Sequence, residues 1–78
     1  MENRGDIARL SVLIEAEPEN AALYFERGRL HYGASNFGHA LNDFNSGLRL
    51  QPENVEAKQY VRMINEILEY RYTDIYNP

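Results

Sequence analysis

The tripeptide Pro18-Glu19-Asn20 recurs as Pro52-Glu53-Asn54, offset by 34 residues. Each copy separates two segments of helical apolar spacing. Before the first copy, Ile7, Leu10, Leu13 and Ile14 recur every three or four residues; before the second, Phe37, Leu41, Phe44, Leu48 and Leu50 do the same. A repeat of this length is a strong constraint, because a unit that cannot bury its apolar face alone must bury it on a neighbour.

Helix signals fill the rest. Asp6 is a candidate N-cap for a helix that runs to about Glu17 and is stopped by Pro18. Asn20 is placed to cap a second helix, from about Ala21 to Tyr32. The Gly33-Ala34-Ser35-Asn36 stretch reads as a turn, with Ser35 or Asn36 capping a third helix to about Leu50. Asn54 then caps a fourth, to about Tyr70 or Tyr72, whose Ala57, Tyr60, Val61, Ile64, Ile67 and Leu68 form a broad apolar stripe. No segment alternates with period two long enough to specify a strand. The expected fold is all-α: four helices joined by short turns, with neighbours antiparallel.

Several classes are excluded by composition. With no cysteine there is no disulfide, thiolate nucleophile or cysteine-based zinc site. No apolar run approaches the roughly 20 residues of a membrane span, and Met1-Glu2-Asn3-Arg4-Gly5 lacks a signal peptide's apolar stretch. The expectation is therefore no membrane insertion; the sequence does not fix a compartment, a cytoplasmic one being favoured. A net charge of −4 is repelled by phosphate, so nucleic acid is not expected as a partner. At this size, apolar burial contributes on the order of 120 kcal/mol and ordering the chain costs about as much. Such a chain is expected to be a well-idealised helical unit or to gain stability from a partner.

Residues 21–54 resemble a tetratricopeptide repeat (TPR), a 34-residue helix–turn–helix unit with the pattern W-x2-L-G-x2-Y, A-x3-F, P. Tyr24 stands at the first aromatic, Gly28 at the glycine, Ala40 at the small residue, Phe44 at the second aromatic and Pro52 at the proline. Gly47 also falls where a small residue is usual. Arg27 and His31 depart from the pattern, Arg27 as part of an Arg-Gly variant associated with the family. The resemblance implies one complete repeat, with residues 6–17 as the second helix of a preceding unit, 55–72 as a following or terminal helix and 73–78 as a tail. On packing grounds, small Gly28 and Ala40 are expected to let two helices approach, while Tyr24 and Phe44 fill the ends of the contact.

Candidate chemistry is sparse. His39 and Asp43 lie four apart on one helix face and offer two metal ligands, but no third or fourth is named by the sequence. A solvated pair or local hydrogen bond is the expected reading, with His31 semi-buried and making one hydrogen bond. Glu15, Glu17 and Glu19 are expected as solvated charges around the first turn. Glycine-rich phosphate loops, G-x-S-x-G and H-E-x-x-H are all missing from the sequence. The chain is expected to be no enzyme and to use no cofactor or metal.

The TPR resemblance implies a protein-interaction module whose concave groove receives an extended peptide or a helical element of another protein. That correspondence places Ala22, Phe25, Glu26, Arg29 and Gly33 on the groove, with Glu56, Gln59, Tyr60, Met63 and Ile67 from the fourth helix. Of the adjacent aromatics Tyr24 and Phe25 only one can enter the core, which leaves Phe25 for the groove or for packing on the fourth helix. The family's terminal-carboxylate clamp is not carried over, because Phe25 and Arg29 occupy the relevant positions. The alternative is a self-association unit, a homodimer through Ile7, Leu10, Val12 and Ile14 on the first helix. Tyr70, Tyr72 and Tyr76, half of the six tyrosines, are expected to cap the open end or to belong to a short segment that docks in a groove.

Overall fold

The structure, a computed structural model, describes residues 4–76 and the side chains of residues 5–70. It is all-helical among the described residues: α1 (Arg4–Ala16), α2 (Ala21–Gly33), α3 (Phe37–Leu50) and α4 (Val55–Tyr76). Two helix ends differ from the sequence expectation. α1 begins at Arg4, so Asp6 lies inside the first turn, where its carboxylate complements the helix dipole without capping it. α4 continues through residues 73–76, expected as a tail, and spans 22 residues against 13 or 14 for α2 and α3. The proposed roles of the Tyr72 and Tyr76 side chains lie outside the described residues.

The two Pro-Glu-Asn copies adopt the same turn. In the first, the Asn20 amide donates to the Glu17 carbonyl (3.1 Å); in the second, the Asn54 amide donates to that of Gln51 (3.2 Å). Both asparagines then cap. Asn20 Oδ1 accepts from the Ala22 amide (3.2 Å), and Asn54 Oδ1 from the Ala57 amide (2.9 Å). Each bond satisfies an amide that has no partner inside its helix. Between α2 and α3, Asn36 occupies the N-cap without a side-chain cap bond. Its carbonyl accepts from Ala40, and Ser35 makes the bend at φ 63°.

The packing of α2 on α3 is reciprocal. A methyl group built on Gly28 would touch the Phe44 ring at 3.1 Å, and one built on Gly47 would overlap the Phe25 ring. Each helix therefore sends a phenylalanine toward a glycine of the other, three residues from its own glycine. The pairs 25–47 and 28–44 run in opposite chain directions, so the helices are antiparallel. Phe25 is 6% exposed, and Ala40 and Phe44 are fully buried. This corrects one expectation: the core aromatic on α2 is Phe25, facing α3. Tyr24 is half-buried at the side, its hydroxyl donating to the Pro18 carbonyl at 2.9 Å.

The core continues through rings. Phe44 stacks on Tyr60 of α4 with centroids 4.5 Å apart, and Tyr60 meets Tyr32 edge-on at 5.1 Å. Tyr32 meets Phe37 edge-on at 5.5 Å, so Phe37 packs back over the α2–α3 turn. Ala57 and Ile64 fix α4 to this cluster. At the other edge α1 packs on α2 with Leu10 and Ile14 buried. The four-residue self-association face is corrected accordingly. Leu10 and Ile14 are spent inside the chain, Ile7 is half-buried, and only Val12 is well exposed.

Alanine substitutions at glycine test the reciprocal packing. Alanine is worth up to about 1 kcal/mol to a helix over glycine. Gly38→Ala, where nothing lies within 4 Å, is expected to gain part of that. Gly47→Ala is expected to lose about 1–3 kcal/mol by overpacking, with Gly28→Ala in between. Urea melts giving the same stability to Gly47→Ala and Gly38→Ala would show that α2 and α3 do not interlock as described.

Candidate binding groove and the polar cluster behind it

The residues of α4 divide between two faces. Ala57 and Ile64 point into the core with half-buried Tyr60, Val61 and Leu68. Met63, Ile67 and Tyr70, spaced four and three apart, form a second stripe that α3 does not cover; Met63 is 41% and Tyr70 72% exposed. Together with Tyr32 from the end of α2 and Glu66, they line an open groove of about 550 Å³. The groove exists because α2 stops at Gly33 while α4 runs on, so the later turns of α4 pass beyond the end of α2.

Outside this lining, α2 and α4 are also bridged by charge. Arg29 of α2 donates to Glu56 of α4 at 3.2 Å, a solvent-exposed bridge across the two helices. Of the residues expected on the groove, Met63 and Ile67 line it, while Arg29 and Glu56 pair with each other outside the lining. Glu26 and Gln59 are exposed on the same helices but do not line it. Tyr60 lies beneath, its ring held between Phe44 and Tyr32. Phe25 is corrected: it is a core residue wedged against Gly47 and takes no part in the groove. Tyr32 and Glu66 were not singled out from sequence, and Tyr70, expected as an end cap or part of a docking segment, is instead part of the lining. The signal was there, for Tyr32 is three residues beyond Arg29 and Tyr70 seven beyond Met63, each one or two turns along a face already marked.

Behind the groove, the α2–α3 contact carries a polar cluster. Arg27 donates to both carboxylate oxygens of Asp43, from Nε at 2.8 Å and Nη2 at 2.7 Å, and its Nη1 donates to Ser11 Oγ of α1 at 2.9 Å. The Asp43 side chain is 6% exposed and that of Arg27 22%. One guanidinium thus ties three helices together, and its bond to Asp43 raises its pKa above the ordinary value despite burial. The expected His39–Asp43 pairing is corrected. Asp43 faces Arg27, and His39 stacks on His31 with centroids 5.1 Å apart. His31 also differs from expectation, because its buried Nδ1 has no hydrogen-bond partner among the described residues. Burial pushes the His31 pKa down, aided by His39 and Arg27 and opposed by Asp43.

Among the described residues no three histidine, aspartate or glutamate side chains group as metal ligands, and no helix is long and apolar enough to cross a membrane. Comparison of the chain with protein-family models, with curated proteins and with solved structures returned no match.

Removing one partner of a largely buried ion pair leaves the other uncompensated. Asp43→Ala is expected to cost about 3 kcal/mol in urea melts. The double variant Arg27→Met, Asp43→Leu should recover a large part of that loss; equal costs for the single and double variants would deny the pairing its role. The histidine stack sets a pH dependence. The folded His31 imidazole binds its proton less well than the unfolded one, so below about pH 6.5 the unfolded chain takes up more protons and stability falls. Its contribution is complete above about pH 6.5 and is lost as pH drops toward the lowered folded value. Tm is expected to be lower at about pH 5.5 than at about pH 7.5, and His31→Gln should flatten that slope. An unchanged slope in the variant would place the proton uptake elsewhere.

Proposed function

We propose that this chain is a non-enzymatic protein–protein interaction module of the tetratricopeptide type, which receives a peptide segment of another protein in the groove between α2 and α4. The observation that carries the reading is the groove itself. Tyr32, Met63, Ile67 and Tyr70 expose apolar surface at a concave site, although the core beneath is already filled by Phe44, Tyr60 and Ile64. Apolar side chains left exposed on a concave face, next to a filled core, support a binding role. The 34-residue repeat, the shared turn of the two Pro-Glu-Asn copies and the glycine-mediated approach of α2 to α3 support the repeat type.

Anchoring would rest on few side chains. A partner's apolar residue set among Tyr32, Met63 and Ile67 removes those surfaces from water at roughly 25 cal/mol per Å². Selection from a random peptide-display library on the immobilised chain tests the reading. Enriched peptides are expected to lose at least about tenfold in affinity for Met63→Asp, a change of roughly 1.4 kcal/mol or more. They should bind Val12→Asp, altered at an exposed α1 position outside the groove, as well as the parent. Failure to enrich any peptide, or enriched peptides indifferent to Met63→Asp, would overturn it.

A further inference from the structure

The chemistry of the groove's rim selects the charge of what enters it. Among the described residues, two features of the lining favour a cation. The first is Glu66, the one ionisable carboxylate among Tyr32, Met63, Ile67 and Tyr70. No cation lies in ion-pair distance of it among the described residues: Arg62, one turn earlier on α4, neither lines the groove nor pairs with it. The second is the pair of tyrosine rings. Tyr70 is 72% exposed, and Tyr32 sits edge-on to both Phe37 and Tyr60 in the groove wall. Tyrosine faces attract ammonium and guanidinium groups through their quadrupole.

The cation nearest on α2, Arg29, does not offset this, because Glu56 already holds it at 3.2 Å. Glu26 on α2 and Arg62 on α4, both exposed, outside the lining and without an ion-pair partner among the described residues, carry opposite charges. The whole chain carries −4. Carboxylate, rings and net charge therefore act in one direction. An anionic segment would meet repulsion here, and a neutral apolar one would leave Glu66 losing water without gaining a partner.

We propose that the groove takes a basic–apolar segment of a partner protein, in which one or two apolar anchors contact Met63 and Ile67 and an adjacent lysine or arginine reaches Glu66 and the rings of Tyr32 and Tyr70. The inference rests on the groove being a peptide site, as argued above, and adds the sign of the ligand. An exposed pair of this kind contributes about two- to fivefold in affinity, which sets the size of the effect. Added salt screens it.

The test is a charge exchange. Peptides enriched from a random display library on the parent are expected to carry lysine or arginine beside apolar residues well above the naive frequency. A parallel selection on Glu66→Lys is expected to enrich aspartate or glutamate there. Parent-selected peptides should bind Glu66→Lys at least about two- to fivefold more weakly, and the difference should shrink at about 0.5 M salt. Circular dichroism on Glu66→Lys, an exposed position, controls for folding. Peptides that depend on Met63 but show no basic excess, or the same charge preference on both proteins, overturn this inference and leave the groove reading standing. No enrichment on either protein overturns both.

Discussion

The distance between α2 and α3 governs everything else in this molecule. Phe25 and Phe44 can each lie flat against the opposing helix only because Gly47 and Gly28 have no side chain where the rings sit. Two bulky rings and two absent side chains, arranged reciprocally, give a close interhelical contact without a void. A glycine inside a helix costs up to about 1 kcal/mol relative to alanine. The chain carries that cost at both positions, and the ring that fills each gap offsets it by burial. With Ala40 also fully buried, α3 is held against α2 along its length.

From that contact two further arrangements follow. Phe44, once set by Gly28, presents its other face to Tyr60, and Tyr60 in turn supports Tyr32. The run of rings from Phe25 to Phe37 therefore leads from the deepest part of the core to the wall of the groove. The contact of the α2–α3 crossing with Tyr32 thus runs through one stacked and one edge-on ring pair. On the opposite side of the hairpin, the same approach brings Asp43 within reach of Arg27, and Arg27 within reach of Ser11. The ion pair is largely desolvated, which makes its geometry demanding: both carboxylate oxygens are bonded and the third guanidinium nitrogen is taken up by α1. Its bonds span α1, α2 and α3.

Much of the local structure was legible because it depends on residues near one another in the chain. Asn20 and Asn54 cap as expected, since a cap bond spans two or three residues and the proline before each fixes where the preceding helix stops. Asp6 misled because a carboxylate serves equally well inside a first turn. The errors gather at contacts between distant residues. Tyr24 and Phe25 differ by 100° around a helix, and spacing alone did not say which would face α3; the deciding partner, Gly47, is 22 residues away. His39 and Asp43 looked like a pair because they are one turn apart, yet Asp43 turns toward Arg27, 16 residues distant in sequence. Leu10 and Ile14 read as an open face until α2 covered them.

The amino-acid order by itself settled the helical class, the number of helices and the sites of the turns, because periodicity, prolines and capping asparagines act over a few residues and need no tertiary partner. Which of two adjacent aromatics is buried, which carboxylate loses its water, and where apolar surface stays open were decided only when the helices met. Those outcomes depend on the space left at a crossing and on the unequal lengths of α2 and α4. Both are properties of the assembled helices, fixed by how closely backbones approach rather than by any single segment's preference.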